Sequence, residues 1–309
     1  MSRIHEALKK AQQERVADAQ LGVPDSGQDI PVAEPVRRPA ASAGVAGLVA
    51  ASERAAGTAQ EPLTYELLLA RCAARPWKPD LRTMLFFNGR LHTEGMEEFR
   101  TLRSRLYQFR EKQPLRTLLV TSALPGEGKT FVAANLAQAI VKQHERRALL
   151  IDADLRRPQL HLSLGAAPAP GLSDYLLGKA DELSILQRGS MNNLFFIARG
   201  QPVSNPSELL AGGRLKELLK RLAPVFDWII LDSPAAIAVS DASLLAQECD
   251  GLLMVVRAAE TPFDLAQKVR QDFADRLLVG VVLNRVEPRE AYASYYYYYS
   301  TGASPKKEK

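Results

Sequence analysis

Residues 118–140 constrain this chain more than any other stretch. Leu118, Leu119 and Val120 form an apolar run that opens into Thr121, Ser122, Ala123, Leu124, Pro125, Gly126, Glu127, Gly128, Lys129 and Thr130; Phe131 then starts a segment of helical pattern. A strand, a glycine loop closing in Gly-Lys-Thr and a helix make up the context of a phosphate-binding loop. Gly126 and Gly128 let the main chain curl where side chains would collide with an anion. The start of the helix aims its free N–H groups at that anion. Lys129 is expected to reach the β- and γ-phosphates of ATP, and the Thr130 hydroxyl to bind Mg²⁺. Pro125, Gly126, Glu127, Gly128, Lys129, Thr130 and Phe131 are the candidate nucleotide-binding residues of this loop. The first glycine of the common pattern is replaced by Ala123.

The rest of the chain from about residue 95 repeats the alternation. Strand-like apolar runs fall at 117–121, 148–151, 194–197, 228–231, 252–256 and 278–283, with helical patterns between them. Most are continuously apolar, which suits strands buried on both faces. The fold class is therefore α/β and P-loop NTPase-like: a mostly parallel sheet covered by helices on both faces. Residues 95–112 form a helix, with Met96, Phe99, Leu102, Leu106 and Phe109 on one side.

Upstream the character changes. Ile4, Leu8 and Ala11 recur at helical spacing, so 1–16 reads as a short amphipathic helix that needs a partner surface. Residues 17–60 lack aromatics and carry Pro24, Pro31, Pro35 and Pro39, the composition of a disordered linker. Residues 61–94 form a connecting segment, 95–285 the nucleotide-binding domain and 286–309 a tail. Tyr292 and the uninterrupted Tyr295, Tyr296, Tyr297, Tyr298 and Tyr299 lie in that tail; five in succession cannot all face one core.

Composition removes several function classes. Two cysteines exclude a disulfide scaffold, and four unpaired histidines argue against zinc. A net charge of +5, from 40 Lys+Arg against 35 Asp+Glu, is too small to point to nucleic acid. No apolar run reaches the ~18–20 residues of a membrane span, and the N-terminus has no secretory h-region. A cytoplasmic protein is expected.

Two further apolar runs close in carboxylates. Asp152 and Asp154 follow 148–151, two apart and so on the same side of an extended segment; Asp232 follows 228–231. The carboxyl ends of parallel strands are where α/β sheets bind ligands. Mg²⁺ takes one or two carboxylates together with phosphates, and a remaining carboxylate can accept a proton.

These three motifs together resemble the bacterial tyrosine kinases, the autokinases of capsule and exopolysaccharide synthesis, over roughly residues 92–300. The resemblance implies ATP-dependent phosphorylation of protein tyrosine, with the tail tyrosines 292 and 295–299 as autophosphorylation sites. It implies catalytic roles for Lys129, Asp152, Asp154 and Asp232, and a metal site of Thr130, Asp152 and Asp232. Asp152 would take the phenol proton, Asp154 would stand beside it, and Arg156 could neutralise phosphate charge. Asn284 falls where the family places an adenine contact. Glu97, Arg100 and Arg103 match its oligomerisation motif, spaced i, i+3 and i+6 on one helix. The implied partners are further copies of the chain, a transmembrane polysaccharide co-polymerase or chain-length regulator as activator, and a cognate tyrosine phosphatase. The implied location is the inner face of the membrane, reached through a partner. Leu124 stands where positioning ATPases of the ParA/MinD type carry an additional lysine. That class, and a non-catalytic ATP-binding scaffold of an export complex, are the rival readings.

Overall fold

The computed structural model describes residues 62–72, 74–87 and 95–287. The expected N-terminal helix, the linker and all the tail tyrosines lie outside the described residues.

Among the described residues, seven strands form one sheet. They are β1 (Thr117–Ser122), β2 (Ala148–Asp152), β3 (Leu186–Arg188), β4 (Leu194–Ile197), β5 (Trp228–Asp232), β6 (Gly251–Arg257) and β7 (Leu278–Asn284). Their order across the sheet is β3-β4-β2-β5-β1-β6-β7. Every neighbouring pair is parallel except β3 and β4. β1, β2, β4 and β5 are buried along their whole length. Side chains along these strands alternate between two apolar layers, as strand geometry requires. Leu119, Leu149, Phe195 and Ile229 enter one layer. Leu118, Leu150, Phe196 and Ile230 enter the other.

The first layer is closed by α1 (Tyr65–Arg71), α5 (Leu172–Leu176), α7 (Pro206–Ala211), α8 (Arg214–Leu222) and α9 (Asp241–Gln247). The second is closed by α2 (Met96–Lys112), α3 (Lys129–Val141) and α4 (Leu160–Leu164). Short α6 (Glu182–Ile185) and α10 (Phe263–Asp272) complete the helices. The expected layering is thus present. Two strands differ from expectation. β3 is only three residues long, too short to register as a periodic run, and it is antiparallel. β7 is an edge strand that leaves Val281 and Leu283 exposed, so its apolar run is not that of a strand buried on both faces.

The connecting segment packs as part of this body. Leu63, Leu68 and Cys72 enter the first layer; Trp77, Met84, Leu85 and Phe86 enter the second. The reason lies in α3, whose residues Val132 to Ile140 are all buried, two of them polar amides. Asn135 Oδ1 accepts from Leu85 N at 2.9 Å, its Nδ2 donates to Thr83 O at 2.8 Å, and Gln138 Oε1 accepts from Phe86 N at 3.2 Å. A helix buried all round can hold amides only when each finds a partner, and residues 83–86 supply them. Among the described residues, no helix is long and apolar enough to cross a membrane.

Candidate active site

The site is built where β1, β2 and β5 end. β1 runs out at Ser122, and α3 begins at Lys129 with Gly128 as its N-cap at φ 96°. Gly126 also has positive φ, 85°. A Cβ on Gly128 would lie 2.1 Å from Asn284 Nδ2, so the backbone requires glycine there and a side chain would have to displace the Asn284 amide. Ala123 is fully buried, so the core absorbs the methyl that replaces the usual glycine. Leu124 packs against the first apolar layer.

The loop is fastened from three sides. Glu127 Oε2 accepts from Leu124 N at 2.8 Å, and its Oε1 accepts from the Thr261 hydroxyl. Thr261 Oγ1 in turn accepts from Arg257 N at 3.0 Å. Asn284 Nδ2 donates to Glu127 O at 2.8 Å. The Glu127 carboxylate therefore braces the loop from within, and only its main chain remains for a nucleotide. Phe131 is similar: its ring stands edge-on to Phe99 of α2 at 5.7 Å, inside the helix interface. Asn284 does reach the loop.

Three carboxylates meet the loop. Asp152 and Asp232 are register partners in adjacent parallel strands, so their side chains leave the sheet in the same direction. Thr130 Oγ1 donates to Asp232 Oδ2 at 2.7 Å. Asp152 Oδ2 accepts from Leu160 N at 3.2 Å. The second oxygens, Asp152 Oδ1 and Asp232 Oδ1, are buried and have no hydrogen-bond partner among the described residues. Such oxygens are rare in folded proteins and suit a cation. Burial pushes the Asp152 carboxyl well above the usual carboxylate range, and the charges of Asp232 and Asp154 add to it. Burial likewise raises Asp232 to about 7, against the opposing pull of Lys129 and the Thr130 hydrogen bond. Among the described residues, no group of three or more His, Cys, Asp or Glu is placed to hold a metal by itself. Mg²⁺ does not need one, because it is usually held by one or two carboxylates with phosphate and water.

Asp154 has a different environment. Its Oδ1 accepts from Arg156 N at 3.2 Å and Arg157 N at 2.9 Å, and Lys129 Nζ stands 3.5 Å from Oδ2. These contacts turn the chain after β2 and set Asp154 against the lysine.

Arg156 is not free to neutralise phosphate. Its Nε lies 2.8 Å from Asp241 Oδ2, and its Nη2 donates to Asp241 Oδ1 and Ser207 Oγ, both at 3.0 Å. Ser207 Oγ also donates to Asp241 Oδ1 at 2.6 Å. Burial works against the charge on Asp241, and the Arg156 and Ser207 hydrogen bonds overcome it, holding that carboxyl below its usual range. Asp241 and Thr261 escape a sequence reading because each looks like a helix-start or turn residue. Nothing local joins Asp241 to a residue 85 positions away, or Thr261 to one 134 positions away.

On α2, Glu97 pairs with Arg100 at the surface, whereas Arg103 Nη1 donates to Ala139 O at 2.6 Å, near the end of α3. The three charges therefore do not form one free face.

Comparison with known proteins places this geometry. The family described as CobQ/CobB/MinD/ParA nucleotide binding domain matches residues 118–302. Tyrosine-protein kinase YwqD of Bacillus subtilis is 33% identical over 190 residues, 61% of this chain and 80% of the relative. Tyrosine-protein kinase wzc of Salmonella typhimurium is 35% identical over 207 residues, 66% of this chain but only 29% of that longer protein. The solved kinase domain of Escherichia coli tyrosine kinase ETK superposes with a TM-score of 0.64 at 30% identity, covering 74% of this chain and 89% of that one. The chain carries a nucleotide-binding domain of the CobQ/CobB/MinD/ParA family, and within it belongs to the bacterial tyrosine kinases.

Proposed function

We propose that the chain transfers the γ-phosphoryl group of ATP to tyrosine hydroxyls of its own C-terminal cluster, Tyr292 and Tyr295, Tyr296, Tyr297, Tyr298 and Tyr299, and thereby regulates polysaccharide polymerisation and export. The observation that carries this reading is the buried Asp152–Asp232 pair, each with an unpartnered oxygen, set beside the Thr130 hydroxyl at the mouth of the phosphate loop.

The residues divide the work as follows. The loop amides after Gly126 and the start of α3 cradle the phosphates. Lys129, held by Asp154, reaches the β- and γ-phosphate oxygens and offsets the charge on the ADP leaving oxygen. Thr130 and Asp232, with Asp152 close by, are the residues that would hold Mg²⁺, which would neutralise phosphate charge. A tyrosine hydroxyl in water loses its proton only near pH ~10, so it arrives protonated. Its oxygen forms the new bond to phosphorus as the bond from phosphorus to the β,γ-bridging oxygen breaks. Asp152 takes the phenolic proton, a task suited to a carboxyl that burial makes more basic than usual. Asn284 lies against the loop at Glu127 and is the candidate adenine contact.

Self-association through the Glu97, Arg100 and Arg103 helix belongs to the same proposal. So do a transmembrane chain-length regulator that recruits and activates the chain at the inner membrane face, and a cognate phosphatase that resets it.

The deciding experiment is mass spectrometry of phosphotyrosine after incubation with Mg·ATP, beside Lys129→Met. Phosphate on Tyr292 and residues 295–299, absent from the variant, is expected. ATP hydrolysis with no phosphotyrosine, in the presence of a membrane activator's cytoplasmic peptides, would favour the positioning-ATPase reading instead.

A further inference from the structure

A polar cavity lies at the opposite end of the strands from the nucleotide loop. Its volume is about 570 Å³, and its walls include Tyr65, Arg110, Arg116, Arg147, Asn193 and Asp227. Arg116, Arg147 and Asp227 immediately precede the described β1, β2 and β5, and Asn193 immediately precedes β4. The nucleotide loop follows the other end of β1. Strands of five or six residues at ~3.3 Å each put the two sites ~15–20 Å apart.

Three arginines line this one space. Each carries five N–H donors, and few are used. Arg110 Nη1 donates to Asp227 O at 2.8 Å, and its guanidinium lies over the Trp228 ring at 5.4 Å. Arg116 Nη1 donates to Ala223 O. The Arg147 guanidinium lies 3.8 Å above the Tyr65 ring, and among the described residues it makes no hydrogen bond or ion pair. The Tyr65 ring is itself fixed, because its hydroxyl donates to Asn193 Oδ1 at 2.6 Å.

The acidic groups in the wall do not cancel this charge. Asp227 is already engaged: Oδ1 lies 3.0 Å from Arg146 Nη1, and Oδ2 accepts from Arg147 N at 2.9 Å. Glu145 also lines the cavity, but its side chain is 85% exposed and stands 3.7 Å from His144. A cavity lined by three arginines and Tyr65, with the Arg147 fork making no hydrogen bond among the described residues, fits a doubly charged phosphate on an aromatic ring. The fork binds the oxygens in pairs, and the ring packs beside Tyr65.

We propose that the cavity formed by Arg110, Arg116, Arg147 and Tyr65 binds a phosphotyrosyl side chain. Its source would be the C-terminal cluster, of the same chain or a second copy. The identity of the ligand rests on the proposed autokinase activity, which makes phosphotyrosine on residues that start eight positions past Asn284. The cavity is a product-docking site, distinct from the place where the product forms. It holds a modified tail away from the nucleotide loop and leaves that loop open to the next tyrosine.

The test uses the full chain, treated with phosphatase, and synthetic peptides of sequence 290–302 labelled for fluorescence anisotropy. A peptide phosphorylated on one tyrosine is expected to bind at least tenfold more tightly than the unphosphorylated one. Arg147→Glu should remove at least tenfold of that affinity, and Arg147→Lys, which keeps charge but loses the fork, should lose less. Binding of an ATP analogue should stay unchanged in both variants, and both should remain folded at the assay temperature. Phenyl phosphate should displace the peptide at lower concentration than inorganic phosphate. Equal affinity of the two peptides, unchanged binding in Arg147→Glu, or equal potency of the two competitors would each overturn the proposal, the last by marking a site for free phosphate. Because the peptides are synthetic, retained docking without autophosphorylation sinks only the proposed activity. Lost docking with autophosphorylation intact sinks only the cavity.

Discussion

The Thr130 hydroxyl lies 2.7 Å from Asp232 Oδ2, joining the first turn of the loop helix to the end of a strand 102 residues further along the chain. This is the one hydrogen bond that Asp232's carboxylate makes among the described residues, since its other oxygen has none. Removing the hydroxyl should therefore disturb both the phosphate end and the carboxylate end of the site. Thr130→Ala should lower turnover with Mg·ATP by about 10²-fold, in the range found when one stabilising donor is removed. Thr130→Ser should stay within a few-fold of wild type. Single-turnover kinetics separate the two, and an alanine variant within threefold of wild type would remove Thr130 from the machinery.

Asn284 and Gly128 form a second joint. The Asn284 amide supports the Glu127 carbonyl and occupies the space where a Gly128 side chain would go. Asn284→Ala should weaken ATP binding by about 2–10-fold, the worth of one hydrogen bond. Gly128→Ala should abolish it. The double variant Gly128→Ala with Asn284→Ala should not recover, because the φ of 96° is strained for alanine even after the collision is relieved. Recovery of nucleotide binding in the double variant, read by calorimetry, would show that space alone matters.

Asp152 and Asp232 set a pH dependence whose sign can be worked out. Both carboxyls sit above their unfolded value of 3.8, Asp232 at about 7. A carboxyl raised by folding binds its proton more tightly in the native state, so it adds stability at low pH. That contribution shrinks as pH rises from about 4 and is gone above the folded value. The nucleotide-free chain should therefore melt at a lower temperature at pH 8 than at pH 5.5, and Asp232→Asn should flatten the slope. Mg²⁺ competes with the same protons, so its affinity should rise across this window. Parallel melting profiles for wild type and Asp232→Asn would rule out the pair as the source.

Asp241 anchors the turn after β2 through Arg156 and Ser207. Asp241 is fully buried, whereas the Arg156 side chain is 39% exposed, so the charge left behind can still reach water. Asp241→Ala should cost about 1–2 kcal/mol, less than the full loss of a buried pair. It should also lower kcat, because Asp154, which faces Lys129, lies in the same turn. Arg156→Lys should keep stability only in part, since lysine cannot reach Oδ1, Oδ2 and Ser207 at once. Unchanged kcat in a folded Asp241→Ala would detach this network from catalysis.

Much of this molecule can be read from its sequence because its constraints are local. The loop motif lies on ten consecutive residues, and each carboxylate closes an apolar run, so both announce themselves without knowledge of the fold. β1, β2, β4 and β5 are legible because burial on both faces demands unbroken apolar side chains. What escapes is what depends on distant partners. Asn135 and Gln138 look like ordinary polar positions until residues 83–86 are laid across them. Glu127 looks like a ligand until Thr261 and Leu124 claim its carboxylate. β3 has three residues and borrows its order from β4, and Ala74 bridges to its Arg188 from the connecting segment. Arg156 has the right position for phosphate, but its buried partner follows 85 residues later.

The pairing of Asp152 with Asp232 across the β2–β5 ladder has one further consequence. The separation of these two acids is set by the spacing between strands, and no loop has to find it. Sliding β5 by one residue would turn Asp232 to the opposite face and put Leu231 or Ser233 in its place. The chemistry at this point is thus protected by the same ladder that protects the core, and drift in the surrounding loops can change what reaches the two acids while leaving their spacing untouched.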